Sequence, residues 1–85
     1  MIKLQRNSDG TPKTNHSTHA ADLLCDVCGV SASGVDLNVH ATYGQGNQTI
    51  NLKCADIGGS CSAITSWPVT GGTADAVELA LVKTA

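Results

Sequence analysis

Phenylalanine is absent from this 85-residue chain, which has a single tryptophan, Trp67, and a single tyrosine, Tyr43. Val, Ile, Leu and Ala must therefore do most of the packing. A single domain of this length hides only about 60–65% of its unfolded surface, so such a core is marginal without a cross-link, either disulfides or a metal. Basic residues are also scarce: five Lys and Arg stand against seven Asp and Glu, for a net charge of −2. That balance excludes the broad positive field that draws nucleic acid. No apolar run approaches the roughly 18 residues of a membrane span. The N-terminus lacks the apolar stretch of a signal peptide. The expectation is a cytoplasmic protein, where paired thiols bind metal more often than they form disulfides.

The charge is unevenly placed. Residues 1–24 hold Lys3, Arg6 and Lys13 against Asp9 and Asp22, whereas residues 25–85 hold Lys53 and Lys83 against Asp26, Asp36, Asp56, Asp75 and Glu78. Met1–Gln5 alternates as a short strand does. Asn7-Ser8-Asp9-Gly10 then supplies turn chemistry, and residues 6–19 offer no apolar anchor beyond the ring of Pro12. Residues 1–19 are thus expected to form a polar, mobile arm. His16 and His19, three apart, have a spacing that suits a metal on a helix, although a solvated tail is the plainer reading.

From Val35 to Tyr43 apolar and polar residues alternate strictly, with Val35, Leu37, Val39, Ala41 and Tyr43 on one face. This pattern predicts a half-buried strand. His40 falls on its polar face and reads as a surface residue. Gly44-Gln45-Gly46-Asn47 reads as a turn and Gln48–Cys54 as the return strand, which predicts a hairpin over 35–54. Ser62–Val69 reads as a further strand. Residues 73–85 combine Thr73 as a cap, Asp75 in the first turn and Lys83 in the last, which predicts a helix; the alternation of Val77, Leu79 and Leu81 leaves a strand as the alternative. This segment is too apolar to stand alone and must dock on the preceding domain, residues 20–72, or on another chain.

Cys25, Cys28, Cys54 and Cys61 are the cross-link candidates. Zinc takes four ligands tetrahedrally, and thiolates serve well at about 2.3 Å. The Cys-x2-Cys pair can turn both sulfurs toward one ion, with Gly29 free to adopt the backbone of such a turn. The second pair encloses six residues, and Gly58-Gly59 lets that longer loop fold back. Two pairs bracketing the predicted hairpin point to one structural zinc and a small zinc-stabilised β fold, ribbon-like, with three or more antiparallel strands and a short C-terminal helix. Four cysteines also permit three disulfide pairings in an exported protein; the sequons Asn15-His16-Ser17 and Asn47-Gln48-Thr49 are too common by chance to decide. A redox role for Cys25 and Cys28 needs a strand–helix setting that the sequence does not supply. Catalysis is not expected: four thiolates leave zinc no open position, and no catalytic triad or carboxylate pair can be argued from spacing.

The segment Leu52–Thr65, with Cys54, Cys61, Ser62, Ala63 and Thr65, looks like the second half of a zinc ribbon. With the preceding Cys-x2-Cys it resembles the zinc-binding region of the Ogr/Delta family of phage late-transcription regulators. The resemblance spans residues 25–69 and implies Cys25, Cys28, Cys54 and Cys61 as ligands and a role in transcription, in a host cytoplasm if the chain is phage-encoded. Three features depart from that family: the leader of 24 residues, the longer second loop, and the lack of any Lys or Arg over residues 29–52. The resemblance therefore implies the metal site more than DNA contact.

Three functions follow as expectations. The first is a zinc-fixed interaction module with a protein partner, such as the transcription machinery. Its apolar C-terminal residues Val77, Leu79, Leu81 and Val82 would complete the core or form part of a contact, a homo-oligomer included. The second is a nucleic-acid-binding regulator, which the charge disfavours. The third is a disulfide-bonded exported or virion structural protein.

Overall fold

The computed structural model describes residues 1–84; Ala85, the last residue of the expected C-terminal segment, lies outside the described residues. Among the described residues there are six strands: β1 (Ile2–Leu4), β2 (Thr14–Asn15), β3 (Ala20–Cys25), β4 (Ser31–Asp36), β5 (Asn47–Lys53) and β6 (Ile64–Thr70). They are followed by one helix, α1 (Ala74–Thr84). Single 3₁₀ turns occupy Leu37–His40 and Cys54–Ile57. No described helix is long and apolar enough to cross a membrane.

The fold is two antiparallel sheets and a helix. β3 is the hub of the first sheet and pairs with β1, β2 and β4. The Asp22 carbonyl accepts from the Gln5 amide and the Asp22 amide donates to the Lys13 carbonyl. Amide and carbonyl of one strand residue face the same side, so β1 and β2 follow one another along β3. The second sheet is the hairpin β5–β6, in register from Asn47 opposite Thr70 to Lys53 opposite Ile64. β1, β3, β5 and β6 send alternate side chains inward: Ile2 and Leu4, then Ala21, Leu23 and Cys25, then Ile50 and Leu52, then Thr65, Trp67 and Val69. α1 buries Ala74, Val77, Glu78 and Leu81. This i, i+3, i+4, i+7 stripe packs on β6 and the first 3₁₀ turn. Thr73 caps the helix, its hydroxyl accepting from the Ala76 amide at 3.1 Å. The fold is thus a small β structure with a short C-terminal helix, as its sequence suggests.

Three local expectations change. The strand expected over 35–43 ends at Asp36, because the Asp36 carboxylate takes hydrogen bonds from the Asn38 amide (2.9 Å) and the Asn38 side chain (2.7 Å). Such local bonds offer the backbone an alternative to the sheet ladder. The chain turns there, so Leu37 is fully buried while Val39 is 73% exposed and Tyr43 68% exposed. The hairpin expected over 35–54 is replaced by two others: β4 folds back on β3, and β5 pairs with β6. The expected mobile arm over residues 1–19 is instead built into the sheet, since Ile2 and Leu4 supply an apolar face and Arg6 pairs across a turn with Pro12.

The 3₁₀ turn yields a direct contrast. Leu37→Ala is expected to cost about 2–5 kcal/mol, and Val39→Ala to stay within about 0.5 kcal/mol. Chemical denaturation of the two variants checks this; a continuous strand over 35–43 would make both costly.

Candidate metal centre

Both cysteine pairs sit in hairpin turns. Cys25 closes β3 and Cys28 lies in the turn to β4, while Cys54 follows β5 and Cys61 lies in the loop leading to β6. The first turn is tied by the Gly29 amide donating to the Cys25 carbonyl and the Cys25 amide donating to the Val30 carbonyl, each 2.9 Å. Gly29 has φ +80°, which a side chain would strain. The second turn is tied by the Gly59 amide donating to the Cys54 carbonyl and the Cys54 amide to the Ala63 carbonyl, also 2.9 Å each. The Asp56 carboxylate accepts from the Lys53 amide at 2.8 Å, and Ile57 is buried as an anchor. These bonds absorb the longer spacing into one 3₁₀ turn and a short return.

The two turns bring their sulfurs face to face. All four Sγ atoms lie within 4.8 Å of one another. Two close pairs cross from one hairpin to the other: Cys25 to Cys61 at 3.5 Å and Cys28 to Cys54 at 3.3 Å. A disulfide needs about 2.05 Å, and all four thiols are free. A tetrahedral zinc with bonds of about 2.3 Å separates its sulfurs by about 3.8 Å, so the cluster needs only a small expansion to close on an ion. Gly59 marks how tightly the cavity is drawn: a Cβ there would stand 2.1 Å from the Cys54 sulfur and 2.8 Å from a Val30 methyl. The donor set and its geometry are those of a site for one metal ion and are compatible with structural zinc.

Electrostatics prepare the sulfurs unequally. The Val30 amide and then the Cys54 thiol hydrogen-bond to Cys28, holding this exposed thiol down at about 6. Hydrogen bonding from the Cys28 amide, the largest cause, also lowers Cys25. Hydrogen bonding with Cys61, then burial, pushes Cys54 up to about 12. Cys28 thus ionises readily, whereas Cys54 holds its proton more tightly. Amides aimed at sulfur also offset the negative charge that four thiolates bring. With four protein ligands the shell is complete, as in structural sites, whereas a catalytic zinc keeps one position for water.

Other residues weighed from the sequence lie elsewhere. His40 joins none of the metal-competent clusters among the described residues, whereas His16 and His19 form a cluster of their own with Asp75 on α1. That second grouping is not visible in the spacing of the two histidines, because its carboxylate partners arrive from the far end of the chain.

Comparison with protein-family models, curated proteins and solved structures finds no match. No family model supports the resemblance to the Ogr/Delta regulators; what stands is the cluster of four cysteines at metal-binding distance.

Gly59→Ala is expected to abolish stoichiometric metal uptake, as its methyl group would overlap the Cys54 sulfur; metal analysis after dialysis reads this out. Acidification is expected to release the ion, because metal binding displaces thiol protons that return as pH falls. Absorbance of the cobalt-substituted protein across a pH series measures it.

Proposed function

We propose that this chain is a non-enzymatic interaction module in which one structural zinc, held by Cys25, Cys28, Cys54 and Cys61, fixes two hairpin tips as a protein-binding surface. The observation that carries this reading is the closed tetrad of thiols. A filled thiolate shell is a poor Lewis acid, so its contribution is to folding free energy. Around it the surface exposes apolar side chains. Val27, on the first turn, is 65% exposed and Ile64, beyond the second, 57% exposed. Asp26, next to Val27 in the chain, pairs with the N-terminal amine and with Lys3, and Lys53 stands opposite Ile64. Apolar side chains at the centre of a polar rim are how protein contacts are built.

A protein partner, such as a component of the transcription machinery, fits this surface better than nucleic acid. The few cations are dispersed and partly engaged: Lys3 lies 3.5 Å from Asp26, and the Arg6 guanidinium donates to the Val82 carbonyl at 2.8 Å. Phosphate recognition needs several free cations acting together. A reducing compartment, such as a host cytoplasm, keeps the thiols available.

Native mass spectrometry with thiol titration tests the metal reading. The expected result is one thiolate-bound zinc per chain, whose removal by chelator unfolds the protein. Finding no metal and no free thiols would sink it in favour of a disulfide-bonded, exported protein. For the surface, Val27→Asp with Ile64→Asp should retain zinc and abolish capture of the partner. A band shift with DNA at low salt, weakening as salt rises, would favour the nucleic-acid alternative.

A further inference from the structure

A second group of ligating side chains gathers where the β2–β3 turn meets α1. His16 and His19 come from the turn; Asp75 and Glu78, three residues apart, come from one face of the helix. The Nδ1 atoms of His16 and His19 lie 3.0 and 3.1 Å from the two carboxylate oxygens of Glu78. His16 Nδ1 is also 3.6 Å from Asp75 Oδ1. Donor atoms of His16, His19 and Asp75 all fall within 4.8 Å of one another.

We propose that His16, His19, Asp75 and Glu78 form a second divalent-cation site that takes a zinc-class ion and fastens α1 to the β2–β3 turn. Three observations carry it. The first is distance. A tetrahedral zinc with bonds of about 2.0–2.1 Å to nitrogen and oxygen separates its ligand atoms by about 3.3 Å. Three pairs, at 3.0, 3.1 and 3.6 Å, straddle that value, while Glu78 stands outside the group of His16, His19 and Asp75 whose donor atoms all lie within 4.8 Å of one another. The second is the placement of Glu78. Its side chain is only 10% exposed, although it carries a carboxylate. A buried carboxylate must be compensated, and two imidazoles aimed at its two oxygens mark a point where positive charge is required. The third is backbone conformation. His19 adopts φ +54°, a left-handed geometry unfavourable for a residue with a Cβ. The His16 and His19 rings stand 5.4 Å apart at 83°. Asp36, within electrostatic reach of His19, adds further negative charge.

The donor set defines the cation. Two imidazoles with two carboxylates suit zinc and neighbouring transition ions better than calcium or magnesium, which take oxygen ligands. Neutral imidazoles bind a metal through Nδ1 while their protons reside on Nε2. His16 is 73% and Asp75 66% exposed, so this site faces solvent and exchanges its ion more readily than the thiolate centre.

Cobalt(II) titration of the full chain, with its cysteines already loaded with zinc, tests the assignment. The expected result is one additional cobalt per chain, with ligand-field bands, no sulfur-to-metal charge transfer, and paramagnetic shifts of the His16 and His19 ring protons. His16→Gln and Asp75→Asn alter exposed side chains and should preserve the fold. Each should weaken uptake by at least the roughly 10–100-fold seen when a ligand merely loses its supporting contact. Absence of a further cobalt, uptake unchanged in both variants, or a charge-transfer band showing displacement of zinc from cysteine would each overturn the proposal. Cobalt uptake at the histidines of a chain whose cysteines take no metal would remove the thiolate reading and leave this one standing.

Discussion

Four sulfurs converging from two hairpin turns set the terms for everything else in this small protein. Cys25 and Cys54 are fully buried and belong to the same core as Leu23, Leu37 and Leu52. The centre is therefore continuous with the apolar packing. The close sulfur pairs run between the hairpins, so an ion placed among them joins the two sheets rather than closing either one. In a chain without Phe, whose domain size leaves its core marginal, such a joint supplies what side-chain volume does not.

The opposite end of the molecule is held by different means. The N-terminal segment reaches α1 at two levels. The Arg6 guanidinium binds the Val82 carbonyl near the helix C-terminus, where the partial negative charge of the helix favours a cation. His16 and His19 meet Glu78 one turn earlier. Between them Val77 and Leu81 fill the core. The helix is thus set by apolar burial on its inner face and by polar contacts from a segment 59 to 76 residues away in sequence.

What the sequence made legible followed local rules. Cysteine spacing and the following glycines pointed to the thiol cluster, since a turn that presents two sulfurs is a local object. Thr73, Asp75 and Lys83 marked the helix for the same reason. Strand pairing was not legible, because alternation reports which residues face inward and says nothing of the neighbour. Val35 to Tyr43 alternated well, yet Asp36 and Asn38 found each other first and turned the chain. The leader was misread because its anchors, Ile2 and Leu4, precede a polar stretch whose order comes from backbone pairing to β3. The Glu78 cluster was beyond reach, its members being joined only by tertiary structure.

One contact near the metal centre has a bearing on assembly. The Ile2 amide donates to the Thr65 hydroxyl at 2.6 Å, a buried bond. Ile2 lies opposite Cys25, whose own amide turns toward Val30, so the Ile2 amide points to the outer side of β1. Unpaired amides on an edge strand are templates for adding strands from other molecules. A hydroxyl from the second sheet occupies this one. The same contact that joins the two sheets therefore blunts β1 as a site of edge-to-edge aggregation, and it does so with a side chain small enough to remain within the core.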